Sequence, residues 1–172
     1  ETGAPAVVDD SQTVIDMLIG ELALERLSDD ELRRNHLAPA LTRLQRSREQ
    51  NVWMTEVLEF GTPPVAPDVS IIIPLYGRLD FLELQLAQFA DDSDIRASDL
   101  LYVLDSPELA DQARETATDL YELYGLPFRL ALLSQNGGFA VANNRGASIA
   151  HGRLLLLLNS DVIPDHPGWL AD

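Results

Sequence analysis

"LLLLLNSDVIP", residues 154–164, drives five consecutive leucines straight into the polar triplet Asn159-Ser160-Asp161. No polar residue interrupts the leucines at helical spacing, and the run is too short for a buried helix. It therefore reads as a strand covered on both faces. The triplet then stands at the carboxyl end of a central strand, either on display or merely turning the chain. Three runs of the same texture lie upstream: "VSIIIP" (69–74), "LLYVLD" (100–105) and "FRLALL" (128–133). Continuous rather than alternating apolar runs mark strands of a parallel sheet, because crossover helices cover both of its faces.

Helical patterns fill the gaps between these runs. Leu79, Leu82, Leu86 and Phe89 recur at helical spacing over 79–90. Ser106-Pro107 reads as an N-cap followed by proline at the first helical position, with the helix stopping at Gly125. A third helix is expected over 140–150, with Gly152 beyond its end. Strand–helix alternation four strands long predicts an α/β fold. It is a three-layer sandwich with a mostly parallel, doubly wound sheet over 69–172, preceded by a helical N-terminal segment.

That segment is expected over residues 1–60. Val14, Ile15, Leu18, Ile19, Leu22 and Leu27 keep helical spacing, "SDDE" (28–31) has the pattern of a capping box, and a further helix is expected from about Ala40 towards Phe60. "GTPPVAPD" (61–68) reads as a linker between this appendage and the α/β domain.

Composition narrows the function. The chain has 172 residues, a net charge of −16 and no cysteine. Disulfides, thiolate nucleophiles and cysteine-bound zinc are excluded. So acidic a surface repels duplex nucleic acid. No apolar run approaches the roughly 20 residues that a membrane span needs. A small phosphorylated ligand stays open, provided backbone N–H groups, an arginine or a divalent cation meet its charge.

In doubly wound sheets ligands bind beyond the carboxyl ends of the strands. The four runs end in "PLYGR" (74–78), "DSPE" (105–108), "SQNGG" (134–138) and "NSD" (159–161), so Asp105 and Asp161 both fall where a ligand would lie. Either acid alone would more often be a helix cap or a turn former; the two together favour a site. The Gly137-Gly138 pair before a helix allows close backbone approach to an anion, although tight turns use the same residues. There is no G-x-G-x-x-G after the first strand and no P-loop, so dinucleotide and NTPase readings lose their usual support. His36, His151 and His166 have no metal-ligand spacing. "DDSD" (91–94) lacks the glycine and distal glutamate of a calcium loop and reads as solvated.

Together, "VSIIIPLYGRLDFLELQLAQF", "LYVLDSPE", "NGGFAVANNRGASIAHGRLLLLLNSDVIP" and "GWL" resemble the inverting family 2 glycosyltransferases of GT-A fold. The likeness covers 69–170 and is strongest over 136–164. It is nearest to the branch with Asn-x-Asp in place of Asp-x-Asp, which includes bacterial rhamnosyltransferases of polysaccharide biosynthesis. The resemblance implies transfer of a hexosyl or deoxyhexosyl group from a UDP- or dTDP-sugar to a glycan or lipid-linked acceptor, in the cytoplasm or at the inner face of a membrane. It implies that Pro74, Leu75 and Tyr76 line the nucleotide pocket. Asp105 would contact the base, and Gly138 and Asn144 would border the nucleotide. Asp161 would hold Mg²⁺ or Mn²⁺ with help from Asn159. Asn159 departs from the family's first acid, and "DSPE" departs from its Asp-x-x-Ser. The family's acceptor half and catalytic base follow the metal motif, so the base is expected beyond Asp172, in the remainder of a larger enzyme.

Two other readings fit parts of the pattern. A sugar-phosphate nucleotidyltransferase needs a glycine-rich basic loop after its first strand, which "PLYGR" matches poorly. A non-catalytic interaction module would keep the fold without binding nucleotide.

Overall fold

A computed structural model describes Asp30, Arg34, Asn35 and residues 38–170. The expected helix over 13–27 lies outside the described residues, as do Leu18 and Leu22. The chain divides between Asn51 and Val52 into two compact units. In the first, helix α1 spans Ala38–Asn51.

The second unit is a five-stranded sheet with helices on both faces. Its elements are β1 (Met54–Phe60), β2 (Val69–Leu75), α2 (Asp80–Phe89), the short α3 (Ser93–Arg96), β3 (Asp99–Leu104), α4 (Ala110–Tyr124), β4 (Phe128–Leu133), α5 (Phe139–Ser148) and β5 (Leu154–Leu157). The spatial order is β1-β4-β3-β2-β5. All neighbours run parallel except β1, which lies antiparallel to β4. On one face Ile71, Ile73 and Leu75 pack with Leu82, Leu86 and Phe89 of α2 and with Ala113, Ala117 and Leu120 of α4. On the other, Ile72, Leu101, Val103 and Ala131 meet Val141 and Ala142 of α5. Helix α5 lies so close that a Cβ on Gly146 would sit 2.5 Å from Ile72 Cγ2. This is the three-layer, mostly parallel sandwich expected from the alternation. The expected helices over 79–90, 106–125 and 140–150 appear as α2, a 3₁₀ turn (Pro107–Leu109) continuing into α4, and α5.

Three expectations are corrected. Residues 54–60 are not the end of a helical appendage but the antiparallel edge strand β1, in register from Phe60 opposite Phe128 to Glu56 opposite Leu132, with a shift of register before Met54 opposite Leu133. The Phe60 and Phe128 rings stack at 4.7 Å, and packing of that kind overrides the helical preference of the two glutamates in "MTEVLEF". Consequently "GTPPVAPD" joins two strands of one sheet rather than two domains. Third, among the described residues the leucine run stands at the edge of the sheet rather than at its centre. Among those residues strand β5 pairs with β2, and Leu154, Leu155 and Leu157 are 50–54% exposed. Only Leu156 and Leu158 reach the core packing.

A buried ion pair braces the amino ends of the strands. Asp99, at the start of β3, accepts from Arg129 Nε at 2.8 Å and Nη2 at 2.6 Å. It also accepts from the Ser70 hydroxyl at 2.6 Å and the His151 N–H at 2.9 Å. Ser70 in turn accepts from the Gly152 N–H at 2.8 Å. The pair therefore ties β2, β3 and β4 to the connection that feeds β5. No helix among the described residues is long and apolar enough to cross a membrane.

Candidate functional site

The chain order runs outward from β2 through β3 to β4, then returns to the other side of β2 for β5. Such a reversal of strand order beside β2 is where a parallel sheet takes its ligands, beyond the carboxyl ends of the strands. A cleft of about 580 Å³ lies there.

Four strand ends build its walls. From β2 come Pro74 and the exposed Tyr76. Leu75, between them, points the other way. Its side chain is fully buried in the core, and it contributes only its carbonyl, which accepts the Asp105 N–H at 2.8 Å. The expectation that Leu75 lines the pocket is thus corrected by the pleat, since successive strand residues face opposite sides.

From β3 comes Asp105, only 3% exposed yet facing the cleft. Its two carboxylate oxygens accept the backbone N–H groups of Gly137 at 2.6 Å and Gly138 at 2.8 Å. Helix capping, the rival reading from sequence, is not what this acid does. Nor does Ser106 cap with its side chain: its hydroxyl accepts the Gly77 N–H at 2.8 Å, joining the ends of β2 and β3. Gly138 has φ +84°, a conformation that L side chains rarely adopt, and no atom lies within 4 Å of where its Cβ would be. That turn, at the end of β4, sets Asn136, Gly138 and the exposed Phe139 along the cleft. Asn144 does not line it. It lies exposed on α5, while the buried Asn143 donates to the Phe139 carbonyl at 2.9 Å.

From β5 come Asn159, Ser160 and Asp161. Pairing with β2 extends one residue past the strand, with the Leu158 N–H donating to the Ile72 carbonyl at 3.0 Å. The chain then turns, closed by the Val162 N–H donating to the Asn159 carbonyl at 3.1 Å. Asp161 is exposed at this turn.

The structure therefore brings together Pro74, Tyr76, Asp105, Gly138, Asn159 and Asp161, and leaves Leu75 and Asn144 outside. It adds Phe81, Asn136, Phe139 and Ser160, which sequence reasoning missed. Three of these adjoin residues already singled out. Phe81 sits on α2 and had no local signal; the Arg78 guanidinium stacks 4.4 Å over its ring. Arg78 also forms a bidentate pair with Asp80, and this hydrogen bonding holds the Asp80 carboxyl below its ordinary range.

Among the described residues, two carboxylates and no basic side chain line the cleft. With the oxygens of Asp105 already engaged by glycine N–H groups, Asp161 is the accessible acid. Among the described residues no group of three or more His, Cys, Asp or Glu is arranged to hold a metal ion. An all-protein cage does not fit these residues. A cation held by Asp161, the Asn159 and Ser160 oxygens and the oxygens of a bound ligand does, since Mg²⁺-type ions commonly take one or two carboxylates plus phosphate.

The family model for glycosyl transferase family 2 matches residues 70–172. The chain belongs to that family. The match begins at the second residue of β2, runs through β5 and covers every residue lining the cleft. Among solved structures, S. aureus TarS 1–349 is similar at 22% identity and a TM-score of 0.44, over 55% of this chain and 27% of that one. The mannosyltransferase PcManGT from Pyrobaculum calidifontis, solved with GDP-Man and Mn²⁺, is similar at 20% identity and a TM-score of 0.49, over 87% of this chain and 42% of that one. This chain thus spans less than half the length of either. No curated protein matches it.

Proposed function

We propose that this family 2 chain carries the donor-binding half of an inverting, metal-assisted glycosyltransferase of the Asn-x-Asp, rhamnosyltransferase-like branch. Its donor is a UDP- or dTDP-sugar and its acceptor a glycan or lipid-linked hydroxyl. One observation carries the reading. A single cleft at the ends of β2, β3, β4 and β5 gathers residues from all four strand-end motifs, although 87 residues separate Pro74 from Asp161 in sequence.

The roles follow from the geometry. Tyr76, Phe81 and Phe139 supply aromatic surface for a planar base or a sugar face. Each Asp105 oxygen keeps a second lone pair beside its glycine N–H bond, so the acid can accept the ring N–H of uracil or thymine while holding the turn. Asp161, with Asn159 and Ser160, would hold Mg²⁺ or Mn²⁺ against the diphosphate. The cation, when bound, neutralises charge on the departing nucleotide diphosphate. The chain's own contribution is to keep that oxygen set on a rigid strand end and to leave the sugar-facing side open for an acceptor hydroxyl. Inversion requires that hydroxyl to approach the anomeric carbon opposite the leaving oxygen.

Calorimetric titration of UDP and dTDP, each with and without Mn²⁺, tests the reading. Binding is expected to tighten about tenfold or more with the metal, or about 1.4 kcal/mol. No nucleotide binding under either condition would overturn it.

A further inference from the structure

Gln85 is the polar exception on the buried face of α2. It sits among Leu82, Leu86 and Phe89 and is 0% exposed. Its side-chain amide nitrogen donates to two carbonyls, Asn159 at 3.2 Å and Val162 at 2.9 Å. Both partners are acceptors, so the amide orientation is dictated by chemistry: a flipped side chain would set oxygen against oxygen. These two carbonyls bracket the turn that presents Ser160 and Asp161 to the cleft. The amide oxygen of Gln85 has no partner among the described residues. A buried unpaired acceptor is costly, and an apolar residue would avoid that cost. What an apolar residue cannot do is hold both carbonyls.

A second buried polar residue anchors the far end of the same segment. Asp92 is 1% exposed; its Oδ1 caps α3 through the N–H groups of Asp94 and Ile95, while its Oδ2 accepts the Gly168 N–H at 2.9 Å. The segment 159–168 is therefore tied at both ends to the α2–α3 region, and Trp169 packs against the core just beyond.

We infer that Gln85 is a positioning residue for the cation-binding turn: its amide fixes the backbone of 159–162 so that Asp161 is presented to the ligand in one geometry. This rests on the donor-site reading above and deepens it. Gln85 touches no ligand; it acts through the Asn159 and Val162 carbonyls. Without it, the turn keeps, among the described residues, the Val162 N–H bond to Asn159, and the Asp161 carboxylate samples several positions at an ion that demands near-ideal octahedral geometry.

The test uses Gln85→Met, an unbranched replacement of similar length with no donor, in the whole chain, with Gln85→Leu as the second variant should Met fail to fold. Two readouts are taken. Amide hydrogen exchange is expected to accelerate at least fivefold over residues 158–163, with β3 and β4 unchanged. UDP or dTDP titration is expected to keep metal-free affinity within twofold while the Mn²⁺ enhancement falls about tenfold. Unchanged exchange in a folded variant would overturn the inference, as would accelerated exchange with full Mn²⁺ enhancement. If the unsubstituted chain binds nucleotide without any Mn²⁺ enhancement, it is the metal-site reading that fails, and the exchange data still decide whether Gln85 holds the turn.

Discussion

Asp105 and Gly138 are joined by a 2.8 Å hydrogen bond in which the glycine N–H donates to carboxylate Oδ2, while the neighbouring Gly137 N–H takes Oδ1. One acid at the end of β3 thus sets the path of the chain into α5. Asp105→Ala strands two half-buried donors, each costing at most about 1–3 kcal/mol. Asp105→Asn keeps one acceptor oxygen and turns an NH₂ towards the other glycine. Denaturant unfolding is expected to rank Ala and Asn both below the parent chain, with nucleotide affinity weakened about tenfold in Asn. An Ala variant as stable as the parent would show that the turn does not depend on this acid.

Asp161 is exposed at its turn, so replacing it should leave stability within about 0.5 kcal/mol. Asp161→Asn is expected to abolish the Mn²⁺ enhancement of UDP or dTDP binding while preserving the weak metal-free binding. Metal and nucleotide should each bind poorly alone, because one carboxylate is too few for a closed site. Equal metal dependence in both proteins would remove Asp161 from the site.

The place of β1 predicts where the sheet can be cut. A chain beginning at Val52 keeps all five strands and the Phe60–Phe128 stack and should unfold cooperatively. One beginning at Val69 loses β1, baring one edge of β4 along with Phe128. It is expected to be less stable by several kcal/mol and prone to aggregation through the bared edge. Equal midpoints for the two in urea would contradict the pairing.

The Asp99–Arg129 pair predicts a pH response. Burial opposes ionisation of Asp99, but its hydrogen bonds from Arg129, Ser70 and the His151 N–H outweigh burial and hold the carboxyl below its ordinary value. A depressed folded pKa means the contribution is complete above about pH 4, the ordinary Asp value, and is lost as pH falls through the lower folded value. Asp99→Asn leaves the Arg129 charge buried and uncompensated, which should cost about 3–5 kcal/mol at neutral pH. The difference from the parent should narrow in acid. Replacing both partners by apolar residues should recover much of the loss, and urea unfolding across pH 3–7 measures all three.

Local sequence determined the elements of this protein, because their causes are local. Unbroken apolar runs placed β2, β3 and β4, and helical spacing placed α2, α4 and α5. Strand-end chemistry marked Asp105, Gly138, Asn159 and Asp161, since a parallel sheet puts every strand's carboxyl end on one edge. Tertiary structure decided the rest, because the causes lie far away in sequence. Met54–Phe60 is a strand only because Phe128–Leu133 offers it an edge and an aromatic face. The leucines of β5 share the apolar texture of the buried strands, yet among the described residues they pair with β2 on one side, and composition cannot count neighbours. Leu75 and Tyr76 differ in facing by one step of the pleat. Gln85 meets Asn159 and Val162 across more than 70 residues, a contact without any local signature, and it is through such contacts that a polar triplet becomes a positioned site.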